Sequence, residues 1–440
     1  MHSIWLSIWS LLAIVAVAQA FVTALQTWEQ RRFARSRLKS RHKLSCSNMR
    51  VRVCAPCKGV DLGLANNLSH LFKQDHPNYE LFFIVESEDD PAVGTIRQCI
   101  AENPSVEARL IVAGRATESG QKVHNLRVAT AAMPNDVEIL AFIDSDARPS
   151  PDWLRTLTQR LPRKEVGATT AYRWFVPEKP TLANHLLSAI NATVASFFGP
   201  GAHHLVWGGS WAIRREVFDS IGLHQAWYGT VSDDLVASRV LHRNRLRVES
   251  EPKCLVASPL NYSIPQLFEF MRRQYVIARF CVPRLWYTTL LFTTISMAAF
   301  WSSVALGVYL LIQNSFWAAL PLGTVAVLYG FGVTKAVLRQ DSACLFLPEY
   351  ETKLKPARWF DIAAGPLVTF VNWVGLVSAL MGSTIVWRGV RYRILPGGQS
   401  QTLNRELDSD QRWIPQPHQP STQRQSTRAV HEETSRRTKH

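Results

Sequence analysis

The sequence has few cysteines, and their arrangement does not indicate a disulfide framework. Seven cysteines lie at irregular positions along 440 residues, and the odd count prevents complete pairing. Cys54 and Cys57 form a C-x-x-C, but no second pair and no nearby histidine completes a zinc site. We interpret the two as incidental cysteines at a strand end. A thioredoxin-like redox pair, which would stand at a helix start, stays the alternative.

Two phosphate-binding signatures are missing as well. The sequence contains no G-x-x-x-x-G-K-[ST] and no G-x-G-x-x-G. Neither a P-loop nor a dinucleotide-binding fingerprint is therefore present. No internal repeat is apparent either.

Acidic residues are outnumbered by basic ones. The chain has 34 Asp and Glu against 49 Lys and Arg, a formal net charge of +15. Nucleic acid, anionic lipid headgroups and anionic substrates are each compatible with that excess. The hydrophobic share of 47% allows a large core together with membrane spans.

An apolar run near the N-terminus predicts a membrane anchor. Residues 4–25 are almost wholly apolar, enough to cross a hydrocarbon core of about 30 Å. A signal peptide would carry its positive charge before the run, but here the basic residues follow it, within residues 31–43. By the positive-inside rule that flank stays cytosolic. We therefore predict an uncleaved anchor (1–28), a basic cytosolic linker (29–50) that does not bind nucleic acid, and a cytosolic catalytic domain.

The C-terminal part contains further apolar stretches. Residues 285–313 and 316–338 predict a transmembrane hairpin within a membrane region (285–394). Residues 360–387 are also apolar, but a full crossing would place the following arginines outside, against the positive-inside rule. We therefore expect one re-entrant or interfacial segment and a cytosolic arginine cluster. Residues 395–440 are polar and predict a disordered tail.

Between the membrane segments, residues 51–262 alternate strand and helix patterns. Apolar runs at 51–55, 79–85, 108–112 and 139–143 predict strands, and helical spacing follows each of the first three. Asp61 is a plausible N-cap for the first helix. The pattern predicts an α/β fold with a doubly wound sheet, which binds ligands outside the carboxyl ends of its strands.

Two carboxylates follow the fourth predicted strand directly. Asp144 and Asp146 stand two positions apart, so an extended segment directs both to one face. Hard oxygen donors of this kind suit Mg²⁺ or Mn²⁺, with a diphosphate supplying other ligands. The alternative is an exposed turn, since Pro149 and Pro151 follow.

Other candidates stand after strands or at a helix start. Asp89 and Asp90 could bind a uracil ring or a ribose, or they could simply form an acidic turn. Lys58 and Lys122 could face a base or phosphates, or they could be solvated lysines without a ligand. Asp233, after a Ser232 that can cap the next helix, is a candidate general base, or else a simple capping acid.

The stretch from Val206 to Trp211 combines two glycines with two tryptophans. Gly208 and Gly209 allow backbone to approach a ligand, and the indole rings offer flat faces for a sugar; a packed turn is the alternative. A helix is predicted from Ala212.

Farther on, an apolar stripe of six residues predicts an amphipathic helix at 263–284 in the membrane interface, with docking on the core as the alternative. Its members are Ile264, Phe268, Met271, Tyr275, Ala278 and Val282.

From about residue 51 to 398 the chain resembles the ceramide glucosyltransferases and their bacterial relatives, which form glycosyltransferase family 21 within the larger family-2 type fold. The resemblance rests on motifs in a fixed order. They are Pro56-Cys57-Lys58-Gly59-Val60-Asp61, Asp89-Asp90-Pro91-Ala92, Ala108-Arg109-Leu110, Lys122 with Asn125-Leu126, Asp144-Ser145-Asp146, Gly208-Gly209-Ser210, Ser232-Asp233-Asp234, Tyr262-Ser263-Ile264 and Trp387-Arg388-Gly389-Val390-Arg391-Tyr392-Arg393.

The family has three aspartate motifs and a Q/R-x-x-R-W motif. The first aspartate motif falls on Asp90, with Asp89 as the alternative. The second falls on Asp144 and Asp146, and the third on Asp233. The fourth departs from the pattern, because its window has Arg-Gln-Tyr where Arg-Trp is usual. That window is Met271-Arg272-Arg273-Gln274-Tyr275.

The resemblance implies a nucleotide-diphospho-sugar transferase (GT-A type) domain and inverting transfer of a hexose from a UDP-sugar to a membrane lipid. It implies Asp233 as base, Asp144 and Asp146 as ligands of Mg²⁺ or Mn²⁺, and a set of donor-binding residues, which are Lys58, Asp89, Asp90, Lys122 and Asp144. Acceptor or diphosphate contacts fall on Trp207, Gly208, Gly209, Ser210, Asp234, Arg272, Arg273, Gln274 and Tyr275. A processive polysaccharide synthase and a non-catalytic sugar-nucleotide-binding membrane protein stay open.

Overall fold

A computed structural model describes residues 2–39, 48–131 and 133–405. Residues 40–47 of the predicted basic linker and residues 406–440 of the predicted tail lie outside the described residues.

A seven-stranded sheet forms the centre of the domain. Its order is β3-β2-β1-β4-β7-β5-β8, and every pairing is parallel except those of β7, which runs antiparallel to β4 and β5. The strands are β1 Arg50–Pro56, β2 Tyr79–Val85, β3 Glu107–Val112, β4 Val137–Ile143, β5 Val166–Thr170, β7 Ser210–Arg214 and β8 Arg247–Ser250. A separate parallel pair comprises β6 Arg173–Pro177 and β9 Val256–Leu260.

Helices cover both faces of this sheet. They are α2 Leu64–Ser69, α3 Ala92–Glu102, α4 Gln121–Ala131, α5 Trp153–Thr158, α6 Leu182–Ala195, α7 Arg215–Ser220, α8 Leu223–Ala226 and α9 Asp233–Arg243. One apolar cluster lies between the sheet and α2, α3 and α5, and a second between the sheet and α4, α7 and α9. Alternate residues of β1 and β4 enter the two clusters because side chains alternate along a strand. The predicted doubly wound α/β fold is confirmed.

Two local predictions in this domain were wrong. Asp61 does not cap α2; the N-cap is Gly63, whose φ of 68° suits a residue without a Cβ. The segment after Trp211 continues as β7 to Arg214, because it pairs with both β4 and β5, and α7 begins only at Arg215.

Three described helices are long and apolar enough to cross a membrane. They are α1 His2–Lys39, α11 Pro283–Ile312 and α12 Ala319–Phe346, with a short 3₁₀ turn preceding α12. Helix α1 packs along the other two, and its Trp9 indole donates to the Ser303 hydroxyl at 3.1 Å. Two further helices, α13 Glu351–Ala363 and α14 Gly365–Ser378, meet at 87°, the geometry of a broken span or re-entrant loop.

Helix α10, Ile264–Cys281, begins at a capping box made by Ser263 and Gln266. The predicted apolar stripe is divided in the structure. Met271 is buried, whereas Ile264 and Phe268 are 41% and 37% exposed. The helix contacts α14 and the C-terminal strands, so part of its apolar surface is docked on the protein, as in the alternative considered above, and part is free.

The C-terminal segment forms a small antiparallel sheet. Its strands are β10 Thr384–Trp387, β11 Val390–Ile394 and β12 Ser400–Arg405. The predictions of an apolar membrane segment through residue 387 and of a disordered tail from residue 395 were therefore wrong at these strands. Backbone pairing with β11 holds β12, and Ser400 also donates its backbone N–H to the Gly229 carbonyl at 2.8 Å.

Candidate active site

Asp144 and Asp146 lie where the central strand β4 ends. The strand's last five residues, 139–143, are fully buried, so the two carboxylates are held at the sheet edge by the core beneath them. Lys122 Nζ lies 2.7 Å from Asp144 Oδ1, and Arg173 Nη1 lies 2.9 Å from Asp146 Oδ2. Between them, the Ser145 hydroxyl donates to Asp61 at 2.5 Å. This is an ion-paired cluster, unlike the exposed turn considered above.

Asp233 joins this cluster from the first position of α9. Ser232 caps the helix, as predicted, by accepting from the Leu235 N–H at 3.2 Å. Lys122 Nζ lies 3.2 Å from Asp233 Oδ1, so one ammonium group contacts both Asp144 and Asp233. The other oxygen of Asp233, Oδ2, is buried and accepts no hydrogen bond from any described residue. A buried carboxylate oxygen without a partner is available to a proton donor from outside.

The three carboxylates have different pKa values because their surroundings differ. Burial raises the pKa of Asp233 to about 7; Lys122 opposes this, while Asp234 and Asp144 add to it. Burial also raises the pKa of Asp146 to about 6, against the effect of Arg173. Burial acts on Asp144 as well, but Lys122 and Arg173 outweigh it and its pKa is lowered. The cluster thus combines an ionised carboxylate with one that exchanges a proton near neutral pH.

Gly208 and Gly209 bring backbone against the carboxylates. A Cβ at Gly208 would lie 2.8 Å from Asp233 Oδ2 and 2.9 Å from Lys122 Nζ. A Cβ at Gly209 would lie 2.1 Å from the Trp207 ring. Asp234 fixes the loop by accepting from the Gly208 N–H at 3.0 Å. The two glycines therefore bring backbone close to Asp233, Lys122 and Asp144, while their approach to a ligand stays a prediction.

Trp207 and Ser210 do not have the open positions expected of sugar-contacting residues. Trp207 is only 9% exposed and packs edge-on against Tyr172. Ser210 is fully buried, and its hydroxyl accepts from the Trp153 indole at 2.8 Å. Both stabilise the turn, so the packed-turn alternative describes them better.

The residues after β1 and β2 form a second group. Asp90 is buried, and one of its oxygens accepts from the Gly59 and Ala92 N–H groups at 2.9 Å each. It therefore joins the two loops to each other. Lys58 pairs with Glu86 at 2.8 Å, and Asp89 is exposed.

In the fourth motif, the guanidinium of Arg273 lies near the rings of Phe270 and Trp387, whereas that of Arg272 is engaged at the end of α14. Arg272 donates to the carbonyls of Ser378 and Met381 beyond α14, and the Tyr275 hydroxyl donates to Asn372 within that helix. Gln274 is exposed. Arg272 and Tyr275 thus join α10 to α14, and their contact with acceptor or diphosphate stays a prediction.

Three residues near the cluster were missed as site residues: Asp61, Arg173 and Arg388. Arg388 forms an ion pair with Asp61, although most of the catalytic domain lies between the two residues in the sequence. Its motif, beginning at Trp387, was among the matching stretches and could have indicated it. Arg173 stands in no motif, so only the fold brings it to Asp146.

Asp144 and Asp146 could hold a divalent cation only together with oxygen donors from a bound ligand or water. Among the described residues no group of three or more His, Cys, Asp or Glu side chains is placed to hold a metal ion. Asp144 and Asp146 offer hard oxygen donors, and Mg²⁺ commonly uses one or two carboxylates with phosphate oxygens and water. The C-x-x-C thiols are not candidates: burial raises the pKa of Cys54 to about 12, and Cys57 is buried too.

Comparison with known proteins shows the family to which the chain belongs. The profile of "Glycosyl transferase family 21" matches residues 10–400. Ceramide glucosyltransferase 1 of Caenorhabditis elegans is 33% identical over 82 residues, 19% of this chain and 18% of that protein. Ceramide glucosyltransferase of Komagataella phaffii is 38% identical over 61 residues, 14% of this chain and 12% of that protein. These aligned segments span less than a fifth of the relatives' own length.

Among solved structures, a mannosyltransferase from Pyrobaculum calidifontis in complex with GDP-Man and Mn²⁺ overlaps with a TM-score of 0.42 at 17% identity, covering 83% of this chain and 99% of that one. The family profile, in contrast, spans most of the 440 residues, from the first apolar helix to the C-terminal sheet. The chain belongs to glycosyl transferase family 21.

Proposed function

We propose that this protein is an inverting membrane glycosyltransferase that moves a hexose, glucose by preference, from a UDP-sugar to the hydroxyl of a lipid such as ceramide or diacylglycerol. The observation that carries the proposal is the buried, unpartnered Oδ2 of Asp233 beside the pair formed by Lys122 and Asp144. The names of the curated relatives support the choice of sugar and lipid.

Asp233 is the base in this mechanism. Its Oδ2 accepts the hydroxyl proton of the lipid while the lipid oxygen forms a bond to the anomeric carbon from the face opposite the diphosphate. The bond between that carbon and the diphosphate oxygen breaks, and UDP leaves with the electron pair. A carboxyl pKa of about 7 suits this role, because the group is partly ionised at neutral pH and still basic enough to take a proton.

The donor diphosphate is bound by the rest of the cluster. Asp144 and Asp146 would hold a Mg²⁺ or Mn²⁺ ion, which when bound neutralises charge on the leaving diphosphate. Lys122 adds a fixed positive charge at the same sheet edge. Lys58, Asp89 and Asp90, at the ends of the neighbouring strands, remain our candidates for the nucleoside side of the donor.

The acceptor enters from the bilayer. The apolar helices α1, α11 and α12 would anchor the protein, and the basic end of α1 favours a cytosolic catalytic domain by the positive-inside rule. At that end Arg31 and Arg358 both pair with Asp341 at 2.9 Å, which joins α1, α12 and α13. Helix α13 also packs against α6 and β6, so the anchor lies close to the catalytic domain, where we expect a lipid hydroxyl to reach the base.

The test is turnover by the purified full chain in lipid nanodiscs. Labelled UDP-glucose, UDP-galactose and UDP-N-acetylglucosamine are supplied with ceramide or diacylglycerol, and the lipid extract is analysed by mass spectrometry. The proposal expects one hexose per acceptor. A long polymeric product would identify a processive synthase. The absence of product with every donor, from protein that still binds UDP, would indicate a non-catalytic binding protein.

A further inference from the structure

Arg388 occupies a backbone conformation that does not suit arginine. It follows β10 in a two-residue turn with Gly389, and both residues have positive φ, 51° and 73°. Tight hairpin turns of this kind favour Asn-Gly or Gly-Gly, because a Cβ is strained there. A residue other than glycine that holds a strained backbone conformation points to a role for its side chain.

The turn places Arg388 beside the metal-binding candidates. The guanidinium pairs with Oδ1 of Asp61, whose Oδ2 accepts from Ser145, the residue between Asp144 and Asp146. Asp61, and also Asp146 and Tyr262, raise the pKa of Arg388, so it stays charged. The Arg388 side chain is nevertheless 39% exposed. The C-terminal hairpin thus brings a fixed positive charge to the carboxylate cluster.

Two more arginines converge on the same place. The ring of Phe270 lies 5.8 Å from the guanidinium of Arg173 and 5.1 Å from that of Arg273, so the two cations flank one ring. The ring of Trp387, next to Arg388 in sequence, lies 5.6 Å from Arg273. Among the described residues no carboxylate lies within ion-pairing distance of Arg273. Burial lowers the pKa of Arg273, and Arg388 and Arg173 lower it further against the effects of Tyr262 and Glu269, as expected of a buried cation beside other cations.

We propose that Arg388, at the tip of the C-terminal hairpin, is a diphosphate-binding residue that completes an anion site with Arg173 and Arg273. The inference rests on the proposed function for the identity of its ligand, the diphosphate of the sugar nucleotide. Three separate segments supply the site, namely β6, α10 and the turn between β10 and β11. Guanidinium groups bind phosphate oxygens in pairs, which fits a ligand with several such oxygens.

Asp61 is the internal competitor for this site. In the free protein its carboxylate neutralises Arg388; when a diphosphate binds, Arg388 exchanges Asp61 for a phosphate oxygen. Asp61 keeps its second contact, the Ser145 hydroxyl, so the exchange leaves it with a partner. The exchange predicts that removing the charge of Asp61 strengthens anion binding, and that the gain requires Arg388.

The experiment measures binding of inorganic pyrophosphate to the full chain by calorimetry, in buffer free of divalent cations so that metal ligation does not contribute. We expect Arg388→Ala to weaken binding about tenfold, which corresponds to about 1.4 kcal/mol. Arg391→Ala is the matched control, because Arg391 is an exposed arginine on the same hairpin. It should bind as the wild type does.

Asp61→Asn separates ligand binding from a structural role. If Arg388 binds the anion, Asp61→Asn tightens binding, and the gain disappears in the double variant with Arg388→Ala. A gain that persists in the double variant would be a general charge effect and would overturn the proposal. So would equal loss of affinity in Asp61→Asn and Arg388→Ala, since both would then only loosen the hairpin.

Arg388→Lys covers the case in which Arg388→Ala does not fold. It keeps the charge but loses paired hydrogen bonds, so its affinity should fall between those of the wild type and an uncharged variant. If Arg388→Lys bound pyrophosphate as tightly as the wild type and the control Arg391→Ala do, the proposal would be contradicted. Pyrophosphate binding is measured without sugar transfer. A protein that binds through Arg388 but transfers no sugar would contradict only the proposed function, and one that transfers sugar without needing Arg388 would contradict only this inference.

Discussion

Lys122 of α4 lies 3.2 Å from Asp233 at the start of α9, and this contact joins two separate helices at the proposed base. The same ammonium group lies 2.7 Å from Asp144. One cation therefore lowers the pKa of two carboxyl groups, although burial keeps that of Asp233 near 7. The site's pH behaviour depends on this shared charge.

Asp233→Asn should abolish sugar transfer and leave donor binding nearly intact. The amide keeps the shape but cannot accept the hydroxyl proton, and loss of a general base costs about 10²- to 10⁴-fold in rate. Turnover is measured with lipid acceptor and UDP binding by calorimetry. Loss of UDP binding with retained turnover would remove Asp233 from the role of base.

The transfer rate should rise with pH through about 7, since Asp233 acts as a base only when it is ionised. Because burial raises the carboxyl pKa, the rise should come well above the ordinary range of an aspartate. The measurement is turnover under saturating donor between pH 5 and pH 9. A rate that is constant across this range would contradict the assignment.

Lys122→Met should move that rise to higher pH. Removing a positive neighbour makes ionisation of Asp233 harder, so the pKa increases and the rate at pH 7 falls. Lys164→Met is the control, because Lys164 is exposed on the domain surface. An unchanged pH profile in Lys122→Met would show that the ammonium group does not tune the base.

Asp146→Ala should weaken metal-dependent donor binding. We expect the calorimetric response of UDP binding to added Mn²⁺ or Mg²⁺ to be lost or strongly reduced, since one of two hard oxygen ligands is removed. Asp219→Ala, an exposed carboxylate of α7, should respond as the wild type does. A metal response that survives in Asp146→Ala would remove Asp146 from the metal site.

Gly208→Ala should inactivate the protein without unfolding it. The added methyl group would meet Asp233 Oδ2 at 2.8 Å and displace the base or Lys122. Gly94→Ala on α3 is the matched control, because no neighbouring atom lies within 4 Å of the place that its methyl group would take. Activity is compared at equal amounts of folded protein. Full activity of Gly208→Ala would place the reacting oxygen elsewhere.

Much of the catalytic domain could be predicted from local sequence. The strand before Asp144 is an uninterrupted apolar run, and Ser232 before two acids is a common helix start, so local chemistry was sufficient to find both. The same reasoning failed at Ala212, because antiparallel pairing with β4 decides between strand and helix there, and pairing depends on distant residues.

The arginines of the site needed the fold. Arg173 stands in no motif, and the motif around Arg388 does not reveal its partner. The partners of the two arginines, Asp146 and Asp61, lie in other segments. Conversely, Arg272 stands in the expected motif, yet it binds helix-end carbonyls because α14 ends beside it. Motif position therefore did not predict that Arg272 would be engaged at the end of α14.

The strand β12 decides where the chain can be shortened or labelled. Arg405 at its end pairs with Glu86 at 3.2 Å and donates to Gln121 at 3.0 Å, so the last described residues are attached to segments that follow β2 and begin α4. If the chain were cut at residue 395 and a tag or fluorescent fusion attached there, the protein would lose the edge strand β12 and those two contacts. The same tag placed after residue 405 leaves the strand and both contacts in place.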